Sequence, residues 1–200
     1  MTREFPVIRF ERYADDVVIH CKSLAQATML RDKLKERLAK CKLEMSPSKT
    51  KIVYCKDRER TEDYPEISFD FLGYTFRPRK SLSKDGMVSV NFLPAISGKA
   101  AKAIRQTVRD WDLKRKVVLS MEEIARRINP VVRGWVVYYG RFYRSALCRV
   151  VQQVDRHLAK WITHKHKRVR GSLAKAYNWL RRIRRSRPGL FAHWDLDYKS

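Results

Sequence analysis

Two hundred residues suffice for one large domain or two small ones, and 45 Lys and Arg against 21 Asp and Glu leave a formal charge of +24, which argues for a polyanionic partner and against an acidic substrate surface. The excess is uneven: residues 1–95 hold 19 basic and 14 acidic side chains and residues 96–200 hold 26 and 7, so the second half carries +19, as expected of a near-neutral platform joined to a nucleic-acid-gripping module. No run of about 18 uninterrupted apolar residues exists to span a bilayer, and Met1-Thr2-Arg3-Glu4 leads into strand-like sequence instead of an apolar leader.

Residues 6–22 read as a hairpin in which Ile8 and Phe10, then Val17, Ile19 and Cys21, alternate with polar or outward residues. Near its tip lie two adjacent carboxylates, Asp15 and Asp16. Neighbouring acids repel and call for a cation, and Mg²⁺, a hard ion, takes such oxygens; a solvated surface turn is the other use of an Asp pair. Ser23 is a plausible N-cap for a helix to about Lys40, with Leu24, Ala27, Leu30, Leu34 and Leu38 on one stripe. Pro47 marks a turn before a predicted strand Lys51 to Cys55, and Asp57 to Glu66 reads as a charged loop. A second hairpin is expected around Phe69 to Phe76, where Gly73 signals close backbone approach or a bulge, and Asp85-Gly86 is a turn signal before Met87 to Phe92.

Around Pro94 to Gly98 the period changes from two to helical, which places a domain boundary there, 1–95 against 96–200. The first helix is expected from about Gly98 to Lys116, burying Ala100, Ile104, Val108 and Trp111, with Lys102, Arg105 and Arg109 on its exposed side. Ser120 and Glu123 form a capping box for a helix to Ile128, which Asn129-Pro130 should end before the next begins. Val132, Trp135, Val136, Tyr139, Phe142 and Tyr143 make a broad apolar stripe, most of its aromatics expected in the core. A helix from about Ala146 to Thr163 and a last one from Leu173 to Arg185 follow, and Phe191 to Trp194 should pack back on the bundle. Nine Tyr, eight Phe and five Trp supply both core and stacking faces, so a folded RNA-binding module is a better reading of the basic half than a disordered tail.

Cys21, Cys41, Cys55 and Cys148 lie far apart without a C-x-x-C pair and read as reduced, mostly buried thiols of a cytoplasmic protein. The spacing of His164 and His166 fits no zinc pattern.

Phe10-Glu11-Arg12-Tyr13-Ala14-Asp15-Asp16, followed by Phe69-Asp70-Phe71-Leu72-Gly73-Tyr74-Thr75-Phe76, resembles the palm of a group II intron reverse transcriptase. Ile128-Asn129-Pro130-Val131-Val132-Arg133-Gly134-Trp135, with Tyr138, Tyr139, Gly140 and Phe142, resembles the maturase-specific region of the same proteins. The resemblance implies an α+β chain: part of a palm, with antiparallel hairpins and a helix, then an all-α thumb and maturase bundle. It implies RNA-directed DNA polymerase and splicing activity, with Asp15 and Asp16 as catalytic metal ligands. Two Mg²⁺ ions about 3.5 to 4 Å apart would stabilise the attacking and leaving oxygens. Tyr13, Lys49, Lys51, Leu72 and Gly73 would lie near the primer end or the incoming nucleotide; by pattern alone Tyr13 also suits a core position, and Lys49 and Lys51 a solvated strand start. The implied partners are intron RNA, an RNA template with a DNA primer, and dNTP, with no membrane.

In that family a further Asp comes from an upstream strand, whereas this chain starts fourteen residues before Asp15, so fingers and first catalytic Asp are expected outside it and no polymerase activity is expected of the 200 residues alone. Candidates for RNA contact are Lys102, Arg105, Arg109, Arg133, Arg141, Arg144, Lys165, Lys167, Arg168 and Arg170, of which Arg133 and Arg141 match the maturase motif. A stand-alone RNA-binding splicing module without polymerisation is the alternative reading.

Overall fold

A computed structural model describes residues 8–82 and 86–196. Strands β1 (Phe10–Tyr13) and β2 (Asp16–Ile19) pair antiparallel with Tyr13 opposite Asp16. The two-residue loop between them puts Ala14 at φ +52°, the left-handed conformation that tight hairpin loops demand. Helix α1 (Leu24–Lys40) starts where Ser23 Oγ accepts from the Gln26 N–H at 3.2 Å. Its expected apolar stripe is only partly covered: Leu30 is buried, Leu34 and Leu38 are half-buried, and Leu24 is exposed.

The strand predicted at Lys51 to Cys55 does not form. Tyr54 N–H reaches Glu66 C=O at 2.8 Å, but Lys56 N–H turns back to Tyr54 C=O at 3.0 Å, which breaks the run a ladder would need. The charged loop that follows is as expected. Next comes an antiparallel sheet of β3 (Phe69–Phe71), β4 (Tyr74–Leu82) and β5 (Val88–Ile96), in that order. Leu72 and Gly73, at φ +49° and +78°, are the two-residue turn between β3 and β4, so Gly73 sits in a turn and not a bulge. The turn signal at Asp85 lies outside the described residues.

The chain turns helical at Ser97, whose Oγ accepts from the Ala100 N–H at 3.1 Å to cap α2 (Gly98–Asp110). This helix is shorter than expected. Asp112 adopts φ +42°, ending it, and a 3-10 turn at Leu113–Arg115 inserts Leu113 into the core while Trp111 stays half-buried. Helix α3 (Met121–Tyr139) opens with the Ser120/Glu123 capping box, with Ser120 N–H to Glu123 Oε2 at 2.7 Å and Glu123 N–H to Ser120 Oγ at 3.1 Å.

The break expected at Asn129-Pro130 is absent: α3 runs straight through Pro130. An interior proline costs a helix about 3 kcal/mol, and packing of Ile128, Asn129 and Val132 into the core offsets that cost. The Asn129 side chain is not a cap. Its Nδ2 donates to Leu190 C=O at 2.9 Å and its Oδ1 accepts from Ala192 N–H at 3.0 Å, so it holds the C-terminal segment.

Helices α4 (Arg144–Lys165) and α5 (Leu173–Ser186) complete the bundle. The segment after α5 packs back, with Phe191, His193, Trp194 and Leu196 buried. Asp155 on α4 accepts from Trp194 Nε1 and meets His193 Nε2, both at 2.9 Å. Burial alone would raise its carboxyl pKa, but the contacts with His193 and Trp194 outweigh it and hold the pKa below the ordinary value. The contiguous core runs from Ile96 to Leu196. Only Cys148 of the cysteines is buried; Cys21 and Cys41 are exposed and Cys55 half-buried, contrary to the expectation for thiols, because the first half lacks a comparable core. Among the described residues no helix is long and apolar enough to cross a membrane.

Asn129→Ala leaves the Leu190 C=O and Ala192 N–H without partners in a buried setting. It should lower unfolding stability by about 2 to 3 kcal/mol, read from the midpoint of urea denaturation. An unchanged midpoint would remove Asn129 from the tail's attachment.

Candidate nucleic-acid interface

The first hairpin mounts the carboxylate pair at its tip, Asp15 as the second loop residue and Asp16 as the first residue of β2, both exposed. Arg12 Nε donates to Ala14 C=O at 2.9 Å and closes the turn from below. Two adjacent carboxylates suit a hard cation, but among the described residues no group of three His, Cys, Asp or Glu side chains comes together. Asp15 and Asp16 stand side by side at the hairpin tip with no third such side chain beside them among the described residues. Tyr13 is 63% exposed, which removes the core position its pattern also allowed. Lys49 is exposed on the turn in which Ser46 C=O accepts from Lys49 N–H at 3.2 Å and Thr50 N–H at 3.0 Å. Lys51 is engaged with Glu66, Nζ to Oε1 at 2.9 Å.

A joint of tyrosines ties the sheet to the helices. Tyr138 Oη donates to Leu72 C=O at 2.8 Å, Tyr143 Oη donates to Lys80 C=O at 3.3 Å, and Tyr74 Oη donates to Tyr138 C=O. The Tyr74 ring lies 5.3 to 5.5 Å from the rings of Tyr138, Tyr139 and Phe142. Burial pushes the phenol pKa of Tyr74 and of Tyr139 up. The expectation that most aromatics of the stripe are core needs correcting: Trp135, Tyr139 and Tyr143 are half-buried and Phe142 is 54% exposed, because α3 ends at the sheet's turn and not under another helix. Gly73 shows why the turn is tight there. A Cβ on it would stand 2.9 Å from Tyr139 Oη. Sequence pattern marked Gly73 for close approach but gave no sign of which ring approaches, since the two are 66 positions apart.

Most of the basic candidates are free to meet a polyanion. Lys102, Arg105 and Arg109 are exposed along α2, Arg109 donating to Gln106 Oε1 of the same helix. Arg133 on α3, Arg141 in the α3–α4 connection and Arg144 at the start of α4 are exposed, as are Lys167, Arg168 and Arg170 between α4 and α5. Lys165 is the exception. Its Nζ donates to Val117 C=O at 2.9 Å and Leu119 C=O at 2.6 Å and lies 5.3 Å from the Trp161 ring centroid, while Trp161 Nε1 donates to Lys116 C=O at 2.9 Å. The ammonium thus closes the loop before α3, satisfying carbonyls that the loop cannot pair internally.

A family model for the reverse transcriptase (RNA-dependent DNA polymerase) matches residues 1–76, and one for the group II intron maturase-specific domain matches residues 101–183. No curated protein and no solved structure matches the chain. The first match contains the hairpin with its carboxylates and the Leu72–Gly73 turn; the second contains most of α2, all of α3 and α4, and most of α5.

Gly73→Ala meets both a left-handed backbone and the Tyr139 hydroxyl, and should cost about 2 kcal/mol, of which about 1 is conformational. Tyr139→Phe in the same background should recover the steric part, as measured by thermal denaturation of the two single variants and the double. Strictly additive losses would show that the hydroxyl does not set the approach.

Proposed function

Because this chain belongs to the family of group II intron-encoded reverse transcriptases and maturases, we propose that its basic helices grip RNA while its first hairpin contributes two carboxylates to a nucleotidyl-transfer site. The family acts on RNA as template and as intron, with Mg²⁺. The supporting observation is the concentration of charge: residues 96–200 carry +19 of the +24, and the exposed Lys and Arg ride on helices that share one packed core. The Lys and Arg of such a surface release the counterions condensed on RNA phosphates, and the half-exposed Tyr138 and Phe142 offer faces for unpaired bases.

Our reading divides the chain into a palm portion at 1–95 and a thumb and maturase portion at 96–200. In it Asp15 and Asp16 bind Mg²⁺, Tyr13, Lys49, Leu72 and Gly73 lie near primer and nucleotide, and Lys102, Arg105, Arg109, Arg133, Arg141, Arg144, Lys167, Arg168 and Arg170 contact RNA. Lys165, whose ammonium is occupied, does not. Lys51, paired with Glu66, would have to release it to reach a phosphate. An RNA-binding splicing module without polymerisation is a second reading, favoured by the self-contained core of the second half beside the partly open face of α1.

Binding of a labelled RNA hairpin, followed by fluorescence anisotropy across a salt series, should give a log–log slope of about −3 or steeper, the mark of four or more phosphate contacts. A flat profile would refute the RNA grip. On an RNA template with an annealed DNA primer, Mg²⁺ and dNTP, the 200 residues should yield no extended product, since two carboxylates do not close a two-metal site. Robust extension would overturn that part.

A further inference from the structure

Between the sheet and the helices lies a cleft of about 580 Å³ whose walls are β4, the end of β5 and the N-terminal parts of α2 and α4. Four arginines line it: Arg77 and Arg79 from β4, Arg105 from α2 and Arg149 from α4. Among the described residues no Asp or Glu lines it. None of the four arginines makes an ion pair among the described residues. Only Arg105 was apparent as a nucleic-acid contact from the sequence. The other three stand on elements that approach one another only in the fold.

The gathering follows from the period of the strand. Along β4, Phe76 and Pro78 take one face while Thr75, Arg77 and Arg79 take the other. Phe76 stacks on Phe69 at 4.8 Å, which fixes the aromatic face and thereby turns the arginines into the cleft. Arg79 is anchored there by its Nε to Leu93 C=O and its Nη2 to Thr75 C=O, each at 3.2 Å, and lies 5.3 Å from the Tyr143 ring centroid. Burial and the neighbouring Arg77 both push the Arg79 pKa down. Like charges crowded without a counter-charge are unfavourable until an anion enters.

The helices add donors. Gly98 of α2 and Ser145 of α4 line the cleft, so both helices present an N-terminal turn to it. The N-cap of α4, Tyr143, makes no side-chain capping bond, and of the first turn Ala146 N–H donates to Tyr143 C=O at 3.1 Å. Guanidinium forks, hydroxyls and helix N-termini facing one space match the oxygens of phosphate.

We infer that this cleft seats the phosphodiester backbone of an RNA strand, bridging the sheet to the α2 and α4 helices. The inference rests on the RNA-binding reading above and adds to it a specific site with three unforeseen residues. A charged cleft of this kind takes a strand's sugar-phosphate chain and leaves the bases outside, so it would grip RNA without reading sequence.

The test uses the full chain with Arg77→Glu/Arg149→Glu and, in parallel, Arg77→Lys/Arg149→Lys, neither position lying in the core. Anisotropy with the labelled RNA hairpin should show the Glu pair weakened at least about tenfold with a salt slope shallower by about 1.5, and the Lys pair within about threefold of the unaltered protein. Thermal midpoints should match across all three. If the unaltered protein binds the hairpin and the Glu pair binds it equally well, the cleft assignment fails while the broader RNA grip stands. Absence of binding by the unaltered protein overturns both. Inorganic pyrophosphate separates the sources of phosphate: if it competes with the hairpin at equal phosphate concentration, the cleft is a free-anion site and the strand assignment is wrong.

Discussion

Every packed element of the second half rests on α4. Leu147, Val151, Val154, Leu158 and Trp161 recur along it at spacings of four and three and are fully or almost fully buried, and Val150, Ala159 and Ile162 widen that stripe until three sides of the helix are covered. Helices α2, α3 and α5, the 3-10 turn at Leu113–Arg115 and the end of β5 all contact it. A 22-residue helix buried on this scale is the frame against which exposed arginines can be held at fixed positions, which a polyanion surface requires if it is to bind more than diffusely.

The sheet is attached to this frame by polar means. The tyrosine joint uses hydroxyls donating to carbonyls of Leu72, Lys80 and Tyr138, with little aliphatic packing, and Ile96 is the residue that carries the sheet into the contiguous core. Such a joint keeps the Leu72–Gly73 turn in register with the end of α3 while leaving ring edges exposed. The same seam, on the opposite side of β4, opens into the arginine-lined cleft. One strand thus serves packing with its aromatic face and charge with its other face.

The tail shows polar specificity inside an apolar bundle. Asn129 and Asp155 each hold the segment after α5 through two contacts, and both lie on helices whose other buried positions are mostly apolar. Buried polar groups of this sort are tolerated because each finds its partners, and they select one docking of the tail among many that apolar contact alone would permit.

Local rules carried much of this reading. Ser23 and Ser120 are the caps they resemble, because capping is decided within four residues. The helix expected from about Ala146 to Thr163 is α4, and the Tyr-Ala-Asp-Asp, Leu-Gly and maturase motifs named the family that the two matches identify. Pro130 misled, since the cost of an interior proline is local whereas the packing of Ile128, Asn129 and Val132 that offsets it comes from elsewhere in the fold. The charge of Lys165 is likewise visible in the chain, but the carbonyls its ammonium meets belong to residues 117 and 119. The sequence by itself determined helices, turns, charge polarity and family, because each depends on neighbours along the chain. Only the tertiary structure decided that Tyr139 crowds Gly73, that Asn129 holds the tail, and that Arg77, Arg79, Arg105 and Arg149 share one cleft, because those meetings depend on how the elements pack.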